Sequence, residues 1–459
     1  MSPFVMYGAG LIAVAIVVVM LLKKLDIKIT LFGVGILLMV VAIMMGNAVI
    51  EEPVHILVDP LLAIIDQFKK TLPSSGFVIL VLGGYTAYMN AIGANEVTVN
   101  TLTKPLKGIK SAYVLVPIVF LLGNLLSLVI PSASNLSIIL LATLYPVLKE
   151  SGMSTLTAAA IIATTATVMP TPLGADNVAI AAELGMPVAD YVFQHHAIVS
   201  VPTLLVMALA HTFWQKYCDK KLVASGEEKV VLNVEAPKQI EGSGLYKFVY
   251  TLLPLLPILI LLVVFAINAI TGSTLNLSVE VVSMMSFIIV IACELIRHRD
   301  GNKVLTATES FFKGMGNAMG IVVLLVAAST FVNGLKAIGL ITQLQTVMQT
   351  TQASGFVLPL ILVLFTALIV LLSGSGMALF YAMVPLMVPL AAAAGISPFA
   401  VTVPMGLAGN LLRAVSPVSA VVMIVAGTTK EEPFDIVKRT SVPMIVGTVF
   451  MFVLSMIIF

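Results

Sequence analysis

Charge is the scarcest commodity in this chain. Only 10% of its 459 residues are Asp, Glu, Lys or Arg, whereas soluble domains carry about 25%. A soluble protein this apolar would have too little polar surface to stay dissolved, so a soluble domain is excluded. Cysteine is almost absent. Cys218 and Cys293 lie in a charged loop and an apolar run, which leaves neither a disulfide framework nor a thiolate metal site. There is no HExxH pair, no GxxxxGK[ST] loop and no GxSxG elbow. Metallopeptidase, nucleotide-driven pump and α/β-hydrolase chemistry therefore lack their reacting groups. No nucleophile–base pair suggests an intramembrane enzyme, and nothing suggests a nucleic-acid partner or a bound cofactor.

What fills the chain instead is hydrocarbon, at 59% of residues. It comes in blocks over 3–22, 29–47, 76–92, 249–270, 278–296, 319–335 and 441–459, each long enough or nearly so to cross a bilayer core of about 30 Å. The first block has neither a basic n-region nor a small-residue cleavage pattern, so it is expected to be a retained span. The stretch 56–72 is amphipathic and is expected to lie along the membrane as scaffold. Basic residues favour the cytoplasmic side of short loops. With the N-terminus outside, 20 of the 24 Lys and Arg fall inside, including six lysines in the polar segment 216–247. This orientation predicts about ten crossings with both termini outside.

The two halves repeat at an offset of 243 to 246 residues. Ala91-Ile92-Gly93 matches Ala337-Ile338-Gly339, Ser132 matches Ser375, and Pro146 matches Pro389. Gly152-Met153-Ser154 matches Gly395-Ile396-Ser397, Thr171-Pro172 matches Ser416-Pro417, and Pro187 matches Pro433. An odd number of crossings per half inverts the second copy, an arrangement characteristic of secondary transporters. The expected organisation is a first inverted repeat over 1–215, a cytoplasmic linker over 216–247 and a second repeat over 248–459.

Four places break the apolar runs. Pro131-Ser132-Ala133-Ser134-Asn135 lies inside 112–148, and Ser373-Gly374-Ser375-Gly376 lies inside 356–392. Each reads as the tip of a re-entrant helical hairpin, or as the join between two full spans. Pro170-Thr171-Pro172-Leu173-Gly174-Ala175-Asp176-Asn177 interrupts a helix expected over 154–183. Gly406-Leu407-Ala408-Gly409-Asn410, running on to Arg413 and Ser416-Pro417-Val418-Ser419, interrupts another over 396–426. Proline removes a backbone donor and clashes with the preceding turn. Unwound backbone is costly in hydrocarbon unless it lines protein or a water-filled cavity. Four such breaks in matching positions mark a site near the midplane.

That site suits an anion. A helix starting at depth presents free N–H groups and a positive dipole end. Ser132, Ser134, Asn135, Thr171, Asn177, Ser373, Ser375, Asn410, Ser416 and Ser419 are candidate donors. Arg413 is costly at mid-span, by about 2.5–3.5 kcal/mol, and its fork pairs bidentately with a carboxylate. It otherwise snorkels to the cytoplasmic interface or pairs structurally with Asp176. Asp176 either helps to hold a coupling cation or proton, or caps the helix that follows it. Arg413 and Asp176 cancel in charge, so a divalent anion leaves about −2 for Na⁺ or H⁺ to offset. His195 and His196 read as interfacial, and Glu183 and Asp190 as solvated near the outer end.

At these motifs the chain resembles the DcuC family of anaerobic C4-dicarboxylate carriers, within the ion transporter superfamily. The resemblance runs nearly end to end. It is strongest at Ala91-Ile92-Gly93-Ala94-Asn95, His211-Thr212-Phe213-Trp214-Gln215-Lys216-Tyr217, Asn410-Leu411-Leu412-Arg413-Ala414-Val415-Ser416-Pro417-Val418-Ser419 and Val437-Lys438-Arg439-Thr440-Ser441-Val442-Pro443. It implies an all-α polytopic protein of the bacterial inner membrane that moves succinate, fumarate, malate or aspartate by efflux, exchange or cation-coupled uptake. It also implies a homodimer in which a scaffold part supports an elevator-like transport part. Related sodium symporters carry Ser-Asn-Thr at both tips. Here the first tip reads Ser134-Asn135-Leu136 and the second Ser375-Gly376-Met377. With Asn135 from that likeness and Asp176 from its charge, the candidates for a coupling cation, Na⁺ or H⁺, are Asn135, Gly174 and Asp176, and Na⁺ is the only metal among the expectations. The residues by themselves reach only an anionic small molecule, and an amino-acid exchanger on the same fold is the other reading.

Overall fold

A computed structural model describes residues 3–23, 25–109, 111–168, 170–224, 243–273, 275, 277–340, 343 and 355–459. The central part of the expected linker, 225–242, lies outside the described residues. The regular structure of the described residues is helical. In order it forms α1 (Pro3–Leu22), α2 (Ile27–Met44), α3 (Asp59–Thr71), α4 (Phe77–Ala91), α5 (Ala94–Thr103), α6 (Ala112–Ser127), α7 (Ala133–Thr143), α8 (Tyr145–Glu150), α9 (Thr155–Ala163), α10 (Ala175–Leu184), α11 (Val188–Asp190) and α12 (Ala197–Ala224). Then come α13 (Gly244–Leu252), α14 (Leu256–Thr271), α15 (Val279–His298), α16 (Gly301–Ala337), α17 (Val357–Ser373), α18 (Met377–Ala394), α19 (Phe399–Leu412), α20 (Ala420–Thr429) and α21 (Pro433–Ile458). Nine helical stretches among the described residues are long and apolar enough to cross a membrane, and four shorter apolar helices accompany them. The chain is thus an all-α, multi-pass membrane protein.

Local sequence explains where helices begin. Asp26 caps α2, accepting from the Lys28 amide at 2.9 Å. Ser154 caps α9 through the Thr157 amide at 3.1 Å, and Asp300 caps α16 through the Lys303 amide at 3.2 Å. Each supplies an acceptor to a first-turn N–H that has no partner inside its helix. The outward faces are greasy, with Leu11 72%, Ile29 70% and Leu37 65% exposed, as lipid contact requires.

The 37-residue α16 is the spine of one part. It packs against α2 and α4 at backbone contact. A Cβ on Gly35 would lie 2.9 Å from the Phe331 amide, and one on Gly314 would lie 2.5 Å from the Gly83 carbonyl. Helices in hydrocarbon gain little from burying apolar surface against each other, so close approach over small residues supplies the attraction. The apolar block 319–335 is therefore only the end of this helix, and the charged stretch before it, with Lys303 and Lys313, is helical too. A second part is locked at one end by a buried ion pair. Arg439 Nη1 donates to Asp219 Oδ1 at 2.7 Å. Asp219 also accepts from the Ser154 and Thr157 hydroxyls at 2.8 and 3.0 Å, and Gln215 Nε2 donates to the Arg439 carbonyl at 2.9 Å. This network joins α9, α12 and α21.

The breaks lie where the repeat expects helices to restart. α7 and α18 open at Ala133 and Met377, and α10 and α20 open at Ala175 and Ala420. Where the preceding helices stop differs from expectation. The first break begins early: α9 ends at Ala163, so the helix is lost at Thr164, six residues before Pro170, and the described residues from there to Gly174 are non-helical. The second begins late. Gly406–Asn410, expected to unwind, continue α19 to Leu412, and only the 3₁₀ turn Arg413–Val415 and Ser416–Ser419 depart from it. The glycines there serve approach, since a Cβ on Gly376 would come within 2.7 Å of the Gly409 Cα. The first tip's second arm is also shorter than expected, with α7 ending at Thr143 and α8 carrying Pro146.

Candidate functional site

The four breaks enclose one cavity of about 490 Å³. Pro131 to Ser134 and Ser373 to Met377 form two of its walls, Gly174 to Asp176 and Ala420–Val421 two more. Gly409 and Asn410 of α19, Arg413 in the 3₁₀ turn that follows it, Val418, Tyr381 of α18 and Ile321 of α16 complete it. The N-termini of α7, α10, α18 and α20 thus converge on a single space. Each helix start carries a fraction of positive charge and unpartnered N–H groups. Near the start of α7, Ser132 satisfies one of these by accepting from the Asn135 amide at 3.4 Å. The volume lies within the range of small-molecule sites.

Of the sequence candidates, Ser132, Ser134, Gly174, Asp176, Ser373, Ser375, Asn410 and Arg413 line the cavity. Asn135, Thr171, Asn177, Ser416 and Ser419 do not. Asn135 is exposed. The Asn177 amide donates to the Thr171 carbonyl at 2.9 Å, and Ser419 caps α20 through the Val422 amide at 3.4 Å. Thr171 and Ser416 have the same task in the two halves. The Thr171 hydroxyl donates to the Leu128 carbonyl at 2.8 Å, and the Ser416 hydroxyl donates to the Leu371 carbonyl at 3.0 Å. Each ties a broken segment to the end of the helix leading into its neighbouring tip. Those carbonyls are orphaned where α6 and α17 run out, so both hydroxyls complete a helix terminus.

Arg413 and Asp176 share the cavity without an ion-pair contact between them. Asp176 Oδ2 accepts from Asn410 Nδ2 at 3.0 Å, and its Oδ1 accepts from the Asn177 amide at 3.0 Å. Arg413 Nη2 donates to the carbonyl of Ala166, and its Nε is buried with no protein partner. Arg413 is therefore anchored through one end of its fork. The anchor is unusual: Ala166 is fully buried with φ of +61°, a left-handed conformation that costs an L-residue about 1–2 kcal/mol.

Sequence reasoning missed what holds that anchor. Asn124 of α6, 1% exposed, receives the Thr167 and Val168 amides on Oδ1 at 3.1 and 3.3 Å. Its Nδ2 donates to the Phe120 and Thr164 carbonyls at 3.0 and 3.4 Å. A polar residue inside the apolar run 112–130 was the available signal. Tyr381 and Ile321 carried none, because an aromatic or isoleucine in an apolar helix reads as packing. His196, expected at the interface, is buried, 3% exposed, with Nδ1 3.2 Å from the Ser200 hydroxyl and its ring edge-on to Tyr191. The π-helical turn Tyr191–His196 rotates it inward. Among the described residues no three His, Cys, Asp or Glu side chains gather as a metal site.

Comparison with known proteins is consistent along the whole chain. Among solved structures, the Alcanivorax borkumensis YdaH transporter superposes with a TM-score of 0.64 at 17% identity, covering 94% of this chain and 98% of that one. Neisseria gonorrhoeae MtrF superposes with a TM-score of 0.54 at 15% identity, covering 93% and 94%. At these identities the likeness is one of fold. The anaerobic C4-dicarboxylate transporter DcuC of Escherichia coli O6:H1 is 35% identical over 458 residues, 99% of this chain and 96% of its own length. The probable anaerobic C4-dicarboxylate transporter DcuC of Vibrio cholerae is 35% identical over 429 residues, 92% and 91% of the two chains. The family described as C4-dicarboxylate anaerobic carrier matches residues 8–459, and this chain belongs to that family, DcuC.

Proposed function

We propose that this carrier moves C4-dicarboxylates such as succinate, fumarate, malate and aspartate across the bacterial inner membrane by secondary transport. The observation that carries the reading is the convergence of four helix N-termini and Arg413 on one cavity of about 490 Å³. Helix starts contribute about 0.3–1 kcal/mol each when exposed and up to about 2 when partly buried. Two carboxylates can share them, one near the Arg413 fork and one near the serines of the tips, Ser132, Ser134, Ser373 and Ser375.

Two inverted repeats, each with a re-entrant hairpin and a broken helix, suit this site. The recurrence of the Thr171 and Ser416 bonds in the two halves supports that reading. So does the shortness of the apolar helices Ala112–Ser127, Ala133–Thr143 and Val357–Ser373. The spine α16 and its partners α2 and α4 act as scaffold, and the part that holds the tips moves against them as an elevator. Ile321 of α16 marks the boundary at the cavity. A homodimer with periplasmic termini completes the proposal. Asp176, beside Gly174 in the lining, is the group for a coupling H⁺ or Na⁺. Asn135, exposed and outside the lining, drops out of that role.

The test is uptake of labelled succinate into proteoliposomes, with and without internal fumarate and with imposed Na⁺ or H⁺ gradients. Wild-type uptake that is lost in Arg413→Ala is expected. Absence of wild-type uptake under every condition overturns the dicarboxylate assignment. Unchanged uptake by Arg413→Ala removes Arg413 from the site.

A further inference from the structure

Arg413 reaches the cavity from the second half of the chain, but what aims it comes from the first. Its Nη2 bond goes to the Ala166 carbonyl, in the segment between α9 and α10 that has left the helix. Unwound backbone at this depth has no water to satisfy it, and the stretch 164–168 is buried throughout. Its free amides at Thr167 and Val168 and its Thr164 carbonyl all turn to one side chain, Asn124. The same amide also donates to the Phe120 carbonyl one turn back in its own helix. An asparagine amide offers two donors and a carbonyl oxygen with two lone pairs, and here every one is used. Gly123, next to it, lets the segment approach: a Cβ there would meet Thr165 Cγ2 at 2.1 Å.

We infer that Asn124 is a positioning residue for substrate affinity: it clamps residues 164–168 so that Ala166 keeps its left-handed turn and directs the Arg413 guanidinium at the carboxylate. The inference rests on the reading of Arg413 as a carboxylate ligand. Asn124 itself touches no substrate, because it lies behind the cavity wall. Without the clamp the Ala166 carbonyl is free to turn away. Arg413 then loses its fixed direction while the four helix N-termini keep theirs. Affinity falls, and the loss runs through Arg413 alone.

Succinate uptake by the full-length protein in proteoliposomes tests this, with KM and maximal rate measured for Asn124→Ala, Arg413→Lys and the double variant. The expected KM increase for Asn124→Ala is about tenfold in the wild-type background. It is under about twofold in the Arg413→Lys background, because groups acting through one another are not additive. Thr167→Val is the gentler probe. It removes a hydroxyl shared between Asn124 Oδ1 and the Thr164 carbonyl, and an increase of about threefold is expected. It decides the matter where Asn124→Ala does not fold. A purely structural Asn124 would lower the maximal rate through loss of active protein and leave KM unchanged, which overturns the inference. Equal KM ratios in both backgrounds overturn it as well. If Arg413→Lys leaves KM unchanged and Arg413→Ala keeps wild-type uptake, the reading of Arg413 itself fails. If Arg413→Lys raises KM or Arg413→Ala abolishes uptake, while both Asn124→Ala and Thr167→Val leave KM unchanged, that reading stands and the role of Asn124 fails.

Discussion

Two glycines in van der Waals contact should respond oppositely to the same substitution. Gly376, at the start of α18, and Gly409, inside α19, face each other across the cavity wall. A Cβ built on Gly376 lies 2.7 Å from the Gly409 Cα, 2.9 Å from its carbonyl oxygen and 3.1 Å from its carbonyl carbon. All three are backbone atoms of a helix and cannot rotate away. A Cβ on Gly409 points past Gly376 and meets it no closer than 3.6 Å, an ordinary contact. Conformation does not confuse the comparison. Gly376 has φ −84° and ψ −20°, which alanine adopts freely, and Gly409 is helical. Gly376→Ala is therefore an overpacking change and should destabilise by about 1–3 kcal/mol. Gly409→Ala should be neutral or gain up to about 1 kcal/mol from helix propensity. Thermal unfolding of the purified protein in detergent, followed by intrinsic fluorescence, reads both. The expected order of Tm is Gly376→Ala below wild type, and Gly409→Ala at or above it. Equal values for the two variants, or the reverse order, would refute the packing of the second tip on α19. Transport should follow, with Gly376→Ala raising KM because Asn410 lies in the helix it displaces and Arg413 directly follows that helix.

Removing the paired ties by Thr171→Val and Ser416→Ala leaves a helix-end carbonyl without its partner in each half, for about 1–3 kcal/mol apiece. Their effects on Tm should add, because the two sites are separate, and the preference for succinate over a monocarboxylate should not change. Arg439→Met strands the Asp219 charge and should cost about 3–5 kcal/mol. The double change Arg439→Met with Asp219→Leu should recover much of that loss, as unfolding curves of the purified variants would show. Asp176→Asn should keep fumarate-for-succinate exchange while abolishing uptake driven by an H⁺ or Na⁺ gradient. Gradient-driven uptake at the wild-type rate would remove Asp176 from coupling.

The sequence by itself determined the solvent of this protein, its helical class and the places where its apolar runs break. Scarce charge and long apolar blocks leave only a bilayer, and in hydrocarbon every backbone group must be satisfied within the chain, so helices follow. The four interruptions read from the sequence each lead into a new helix, and Ser132, Asp176, Ser375 and Arg413 beside them line one cavity. Tertiary structure decided how each break is made. Proline and glycine mark where a helix is weak, but it unwinds only where other groups receive the freed N–H and C=O. Asn124 does so for residues 164–168, and the first break therefore opens six residues before its prolines. Gly406–Asn410 gain more by staying regular, because the second tip packs on their backbone at Gly376, and that break waits until Arg413. Thr171 and Ser416 looked like ligands for the same reason that they are ties. A hydroxyl at a break meets whichever partner is nearer, and here the nearer partner is the orphaned carbonyl of the adjoining tip.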